Sequence, residues 1–307
     1  MMILEKMSKK FFLSLSKNRL ISSGAKKWGL KLGASQVVAG VTIDEVINVL
    51  TELNKEGLQC TVDHLGEYVQ EREEAINSKD MCKKTIEAIA QHNISSHLSI
   101  KLTQLGLDID RDFCLANMKE IVEVAKKHQI FIRLDMEDFA RYEKTLYILE
   151  ELRKDYDKIG TVIQAYLHRA SEDVKSLAGV NLRLVKGAYK EAPNVAIQEK
   201  NKIDENYFEL IKLHLLSGSY TAIASHDHQI IDKVKEFAKE NRISNKQFEF
   251  QMLYGMRQEL QKKLAKEGYT MRVYVPFGRD WYGYFMRRLA ERPQNVKWAM
   301  KGLFSKS

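Results

Sequence analysis

From about residue 57 the chain repeats one pattern, a short apolar and β-branched run that ends in polar residues, followed by an amphipathic stretch. The runs are Leu58–Val62, Leu98–Leu102, Ile130–Leu134, Thr161–Leu167, Asn181–Val185, Tyr220–Ala224, Phe248–Leu253 and Met271–Val275. They read as eight strands. Between and after them the spacing predicts helices over roughly 67–90, 112–127, 139–153, 171–177, 195–216, 230–241, 256–267 and 281–292. Strand and helix in alternation predict βα units around a parallel sheet, and eight such units predict a closed (β/α)8 barrel, an α/β fold. Strands buried on both faces read as continuous apolar runs. Arg133 and Arg183 break that rule. A strand-end side chain reaching solvent is an open reading for Arg133 and a less favoured one for Arg183.

The first 56 residues precede the barrel pattern. Thr42-Ile43-Asp44-Glu45 has the form of a capping box that opens a helix running to Asn54. The simplest division is an N-terminal helical arm over 1–56 and one catalytic barrel over 57–307.

Charge changes this picture at one end. The net charge is +8, and part of the excess is concentrated in Lys6, Lys9, Lys10, Lys17, Arg19, Lys26, Lys27 and Lys31, with Glu5 the only acid before Asp44. Such an arm is either a solvated helix or a contact for acidic lipid or a partner. Beyond residue 43 acids are plentiful, and no nucleic-acid motif is present. Cys60, Cys82 and Cys114 have no metal-ligand spacing and follow no secretory signal, which suits a reducing cytoplasm. Residues 1–15 are too short and too lysine-rich for a membrane span.

In a barrel of this kind chemistry gathers where strands end and βα loops begin. The residues there are Lys101 and Gln104, Asp135-Met136-Glu137-Asp138, Gln164 and Tyr166, Arg183 through Tyr189, Ser225-His226-Asp227-His228, and Tyr274 through Gly278. Arg287 and Arg288 follow on the last helix, near Tyr284. Guanidinium forks grip carboxylates through paired hydrogen bonds, so Arg287, Arg288 and Lys101 together would form a carboxylate receptor. Lys186-Gly187-Ala188 is a small-residue turn that either offers backbone N–H groups to a phosphate or flavin oxygen or simply ends its strand. There is neither GxGxxG nor GxxxxGK[ST], so a Rossmann site and a P-loop lack support. His226 and His228 invite a metal reading with Asp135, but no matching third ligand stands out, and no metal site is expected.

Four segments taken in order resemble the proline dehydrogenase family. They are Lys101-Leu102-Thr103-Gln104-Leu105-Gly106, Asp135-Met136-Glu137, Arg183 to Tyr189, and Tyr284 to Pro293. The resemblance implies a distorted barrel that holds FAD and oxidises L-proline to Δ1-pyrroline-5-carboxylate, passing electrons to a membrane quinone. It implies that Arg183, Gln164 and Met136 touch the isoalloxazine, that Lys186, Gly187 and Ala188 hold other parts of FAD, and that Ser225, His226 and Glu291 hold the ribityl and adenosine side. It implies that Lys101, Arg287 and Arg288 clamp the carboxylate, that Tyr189, Leu253, Tyr274 and Tyr284 wall the ring, and that Asp135 orients the charged cluster. Glu67 is expected to pair with Arg287 as a gate. Ser225 stands where threonine is usual and Asp227 where asparagine is common. The next enzyme, an aldehyde dehydrogenase for the product, is expected on a separate protein. A quinone acceptor makes the basic arm, with Phe11, Phe12 and Leu13 among its lysines, a candidate contact between a cytoplasmic enzyme and the inner face of the membrane.

Overall fold

The structure is a computed structural model that describes residues 34–291. The lysine-rich segment and the side chain of Glu291 lie outside the described residues. Eight strands close into a barrel in chain order. They are β1 (Gln59–His64), β2 (Ser96–Lys101), β3 (Ile132–Asp135), β4 (Ile159–Gln164), β5 (Leu182–Val185), β6 (Thr221–Ala224), β7 (Phe248–Leu253) and β8 (Thr270–Phe277). All neighbours are parallel, and β8 closes on β1 from Gln59↔Arg272 to His64↔Phe277. The helices are α1 (Ile43–Lys55), α2 (Arg72–Gln91), α3 (Arg111–His128), α4 (Phe139–Arg153), α5 (Ala170–Ser176), α6 (Lys200–Leu216), α7 (His228–Glu240), α8 (Gln258–Lys266) and α9 (Trp281–Glu291).

Two helices start later than their apolar spacing predicts, because loop hydrogen bonds take the residues first. α2 was expected from residue 67. Instead residues 65–71 form a loop pinned to Thr103, which accepts from the Tyr68 N–H at its hydroxyl (3.1 Å) and from the Val69 N–H at its carbonyl (3.2 Å). α6 was expected from residue 195. Ala196 instead bridges to Leu167, and Ile197 N donates to Tyr166 O at 2.7 Å.

The strands alternate. Val62, Leu98, Ile132, Leu134, Leu182, Leu184, Phe250 and Val273 face the helices and form the main core. The opposite set, paired in register around the barrel, is largely polar: Asp63, Ser99, Lys101, Arg133, Asp135, Arg183, Glu249, Gln251, Arg272 and Tyr274. Arg133 and Arg183 are therefore interior groups, and the solvent reading of Arg133 is corrected. Its side chain is fully buried. It donates from Nη1 to Thr161 O (2.9 Å) and Asn181 O (2.5 Å). Gly160 makes room for it, since a Cβ there would lie 2.0 Å from Asn181 O and 2.9 Å from Arg133 Nη1.

Lower in the barrel Arg272 Nε donates to both oxygens of Glu249, at 2.9 and 3.0 Å. Burial alone would raise the Glu249 pKa, but the Arg272 guanidinium holds it at about 2, below its ordinary 4.5. A carboxylate held below its unfolded value stabilises the fold fully above about pH 4.5 and loses that contribution as the pH falls towards 2, on the order of 3 kcal/mol in all. Glu249→Gln is expected to be less stable than wild type by a similar amount at pH 7, with the gap narrowing as the pH drops below 4.5. Urea midpoints at pH 7, 4.5 and 3 check this. A gap that stays constant would show that the charge contributes nothing.

The barrel departs from regular βα order at its seam. α1, opened by the Thr42–Glu45 capping box, buries Val46, Ile47 and Leu50 in the same core as Leu58 and Val273. It packs on β1, β8 and α2, filling the outer position between the last strand and the first. α9, which follows β8, packs elsewhere. Its Trp281, Phe285 and Leu289 form a separate apolar cluster with Ala34, Val37, Val38 and Leu65. That cluster sits over the C-terminal strand ends, where Ala39 N donates to Pro276 O (2.8 Å) and Leu65 N to Phe277 O (2.7 Å). α9 thus roofs the mouth of the barrel.

Candidate active site

Beneath that roof lies a cavity of about 720 Å³, inside the range of about 300–1,000 Å³ usual for small-molecule sites. Its lining includes Lys101, Asp135, Met136, Gln164, Arg183, Lys186, Gly187, Ala188, Tyr189, Ser225, His226, Leu253, Tyr274 and Arg288. The segments singled out in the sequence from β2 to β8 and from α9 therefore converge on one space. Glu67, Tyr284 and Arg287 stand outside this lining. Arg287 Nη1 donates to Glu67 Oε1 at 2.6 Å, and the Tyr284 ring lies under the Arg288 guanidinium at 5.2 Å.

One end of the cavity is an ionic cage. Lys101 Nζ donates to Asp63 Oδ2 (2.9 Å) and lies 3.6 Å from Asp135 Oδ2. The Tyr274 hydroxyl bridges the same two carboxylates, 2.7 Å from Asp63 Oδ2 and 2.8 Å from Asp135 Oδ2. Burial favours a neutral Lys101, yet Asp63 and the other groups around it raise its pKa well above the ordinary lysine value. It remains an ammonium. Asp135 is pushed up by burial and pulled down further by Arg183 and Lys101, so it remains a carboxylate. The turn after β2 fixes this corner. Thr103 donates from its N–H and its hydroxyl to Glu137 (3.1 and 2.6 Å), and Gln104 Nε2 donates to His64 O at 3.0 Å.

Arg183, on β5, lines the same cavity. It donates from Nε to Gln251 Oε1 (2.6 Å), from Nη1 to Asp135 Oδ1 (2.7 Å) and from Nη2 to Ser99 Oγ (3.2 Å). The small residues Gly187, Ala188 and Ala224 also line the cavity, as does Lys186. Gly187 has φ +114°, and a Cβ on it would lie 2.4 Å from the Tyr166 ring. Lys186 Nζ is 2.6 Å from Asp204 Oδ1 and 3.5 Å from Asp227 Oδ2. Asp227 caps α7 through the Gln229 N–H (3.1 Å). His226 accepts from Leu253 N at 3.0 Å through Nε2. Among the described residues no group of three His, Cys, Asp or Glu side chains could hold a metal ion.

Several lining or cage residues escaped sequence reasoning. Ser99 and Gln251 are polar residues inside apolar runs and become visible only through their partners on other strands. Arg257 sits in the left-handed region (φ 53°) at the start of α8 and also lines the cavity. No motif marks it.

The chemistry of the donor set suits a flat, hydrogen-bonding heteroaromatic group. The small walls leave room for a planar system, Gln164, Arg183 and Gln251 present polar atoms, and Lys186 supplies positive charge for an anionic tail. The cage end suits a small zwitterion.

Comparison with known proteins bears on this geometry. Residues 46–299 match the sequence model of a family described as proline dehydrogenase. Proline dehydrogenase 2 of Bacillus subtilis (strain 168) is 50% identical over 298 residues, 96% of this chain and 98% of that protein. A proline dehydrogenase of Deinococcus radiodurans is 42% identical over 285 residues, 91% of each chain. Among solved structures, proline utilization A from Bdellovibrio bacteriovorus, inactivated by N-propargylglycine, superposes with a TM-score of 0.81 at 27% identity. That match covers 98% of this chain and 38% of the larger one. The chain belongs to the proline dehydrogenase family.

Proposed function

We propose that this protein oxidises L-proline to Δ1-pyrroline-5-carboxylate with FAD bound in the roofed cavity, and that the electrons pass on to a quinone. The observation that carries the reading is the convergence of Lys101, Arg183 and Arg288 on a single cavity that the small residues Gly187, Ala188 and Ala224 also line. FAD held by these residues would supply the acceptor for the hydride on the carbon beside the proline nitrogen. The chain's own groups provide position. Lys101 and Arg288 bind the carboxylate, with Arg287 as a third donor once it leaves Glu67. Tyr189, Leu253, Tyr274 and Tyr284 bound the ring. Met136, Gln164, Arg183, Lys186, Gly187, Ala188, Ser225 and His226 hold the cofactor, with Glu291 as a further contact. Asp135 holds Lys101 and Arg183 in place through its two carboxylate oxygens. The positive charge of Arg183 would stabilise negative charge that develops beside it in the cavity. α9 and the loop 65–71 keep water from the reacting carbon.

No helix among the described residues is long and apolar enough to cross a membrane. Contact with a quinone-bearing membrane belongs to the proposal through the basic N-terminal segment. The product's aldehyde form would be consumed by a separate dehydrogenase.

The test is spectroscopic. Protein reconstituted with FAD should lose its visible flavin band when L-proline is added without oxygen. A band that persists would reject the assignment. Arg288→Lys is expected to raise the KM for proline about tenfold or more with a smaller change in kcat, because one ammonium cannot replace a planar fork. Steady-state kinetics check this, and a wild-type KM would remove Arg288 from the clamp.

A further inference from the structure

Arg183 is held by a relay that begins outside the cavity. Gln251 Oε1 accepts from Arg183 Nε at 2.6 Å, while Gln251 Nε2 donates to Glu249 Oε1 at 2.5 Å. Glu249 is in turn fixed by Arg272 Nε (2.9 and 3.0 Å) and by the Tyr220 hydroxyl, which donates to Oε2 at 2.9 Å. Arg272 is anchored by donating from Nη1 to Cys60 O at 2.7 Å. Glu249 is completely buried, and Gln251, Arg272 and Arg183 are each 5% exposed or less.

The two ends of a glutamine amide have nearly the same shape, so its orientation is decided by its partners. Here the partners leave no choice. An ionised carboxylate only accepts and must face the NH2. An arginine Nε–H only donates and must face the carbonyl. With a neutral amide at position 249 either orientation finds a partner below, and the flipped one sets NH2 against the Arg183 Nε–H. The alternation of β7 places 249 and 251 on the same interior face, one step apart.

We propose that Glu249, paired with Arg272, is a positioning residue for the reaction: it locks the Gln251 amide so that Arg183 is aimed into the cavity. The chain of effect is Glu249, Gln251, Arg183. The residue that meets the cofactor is Arg183, and in that respect the inference rests on the proposed function.

Two variants test it in the full-length chain. Glu249→Gln combined with Arg272→Met removes the lock without leaving a buried charge unpaired. Gln251→Met removes the acceptor of the Arg183 Nε–H and leaves the Glu249–Arg272 pair intact. In both, the NMR signal of the Arg183 Nε–H is expected to shift and to exchange with water faster. Flavin reduction by proline should slow about tenfold, with a lower flavin midpoint potential and a proline KM within about twofold of wild type, since the carboxylate clamp is untouched. An Arg183 Nε–H signal at its wild-type position in the Glu249→Gln/Arg272→Met protein overturns the proposal, as does a KM that moves more than the reduction rate. The NMR signal can be read with or without bound FAD. Failure of the lock and failure of the flavin assignment are therefore separable.

Discussion

Replacing Asp135 by alanine is expected to cut kcat/KM about 10²–10³-fold and to weaken the fold by about 3–5 kcal/mol. Its carboxylate accepts from Arg183 Nη1, Ser99 Oγ and the Tyr274 hydroxyl, at 2.7, 2.7 and 2.8 Å. It also lies 3.6 Å from Lys101 Nζ. Truncation leaves Arg183, 5% exposed, without a counter-ion, and breaking a buried pair in this way is among the costlier single changes. Lys101 keeps Asp63, so the ammonium survives, but the shared Tyr274 bridge loses one support. On the proposed function both ends of the chemistry move together, the carboxylate clamp through Lys101 and the cofactor side through Arg183. Asp135→Asn keeps an acceptor for Arg183 and should do less damage to folding than to turnover. Urea denaturation with steady-state kinetics on both variants checks this. A loss of activity below tenfold in the alanine variant would show that the cage is organised without Asp135.

The second large effect is expected at Gly187. Valine there must adopt φ +114° and place its Cβ about where the Tyr166 ring already stands, at 2.4 Å. Such backbone costs on the order of 1–3 kcal/mol in a residue with a side chain. The ring cannot easily yield, because Tyr166 is held at both backbone ends, its N–H donating to Lys186 O (3.0 Å) and its carbonyl accepting from Ile197 N (2.7 Å). The wall of the cavity must shift instead. Gly187→Val should retain its fold and bind FAD at least tenfold more weakly. Fluorescence titration of apoprotein with FAD measures this, and wild-type affinity would take Gly187 out of the cofactor wall.

Much of this architecture is legible in the pattern of the chain, and the gaps have physical causes. Eight strands can be counted because outward-facing positions such as Val62, Ile100, Leu134, Leu184, Ile223 and Val273 must be apolar to meet the helices. The inner face obeys a different rule. Expecting apolar side chains on both faces makes Arg133 look like a strand-end exception, whereas it is one member of a buried polar lattice satisfied by neighbouring strands. A lone Ser99 or Gln251 carries no signal by itself. Its meaning comes from partners 84 and 68 residues away, both in this case Arg183. The cationic residues around the cavity were easier to see, since Lys101, Arg183, Lys186 and Arg288 stand near strand ends or on the last helix, where barrel chemistry collects. Helix periodicity predicts α1 and α9 equally well. It cannot say that α1 takes the outer position beside β8 while α9 covers the mouth, because both faces are amphipathic and the choice depends on which apolar surface each meets.

That exchange of places has a mechanical result. The side wall at the seam is completed by a segment translated before the first strand, so the cylinder does not need α9 for its own integrity. A cover that packs its apolar patch on Ala34, Val37, Val38 and Leu65, and that meets the loop below through the Arg287–Glu67 contact, is joined to the staves without being one of them.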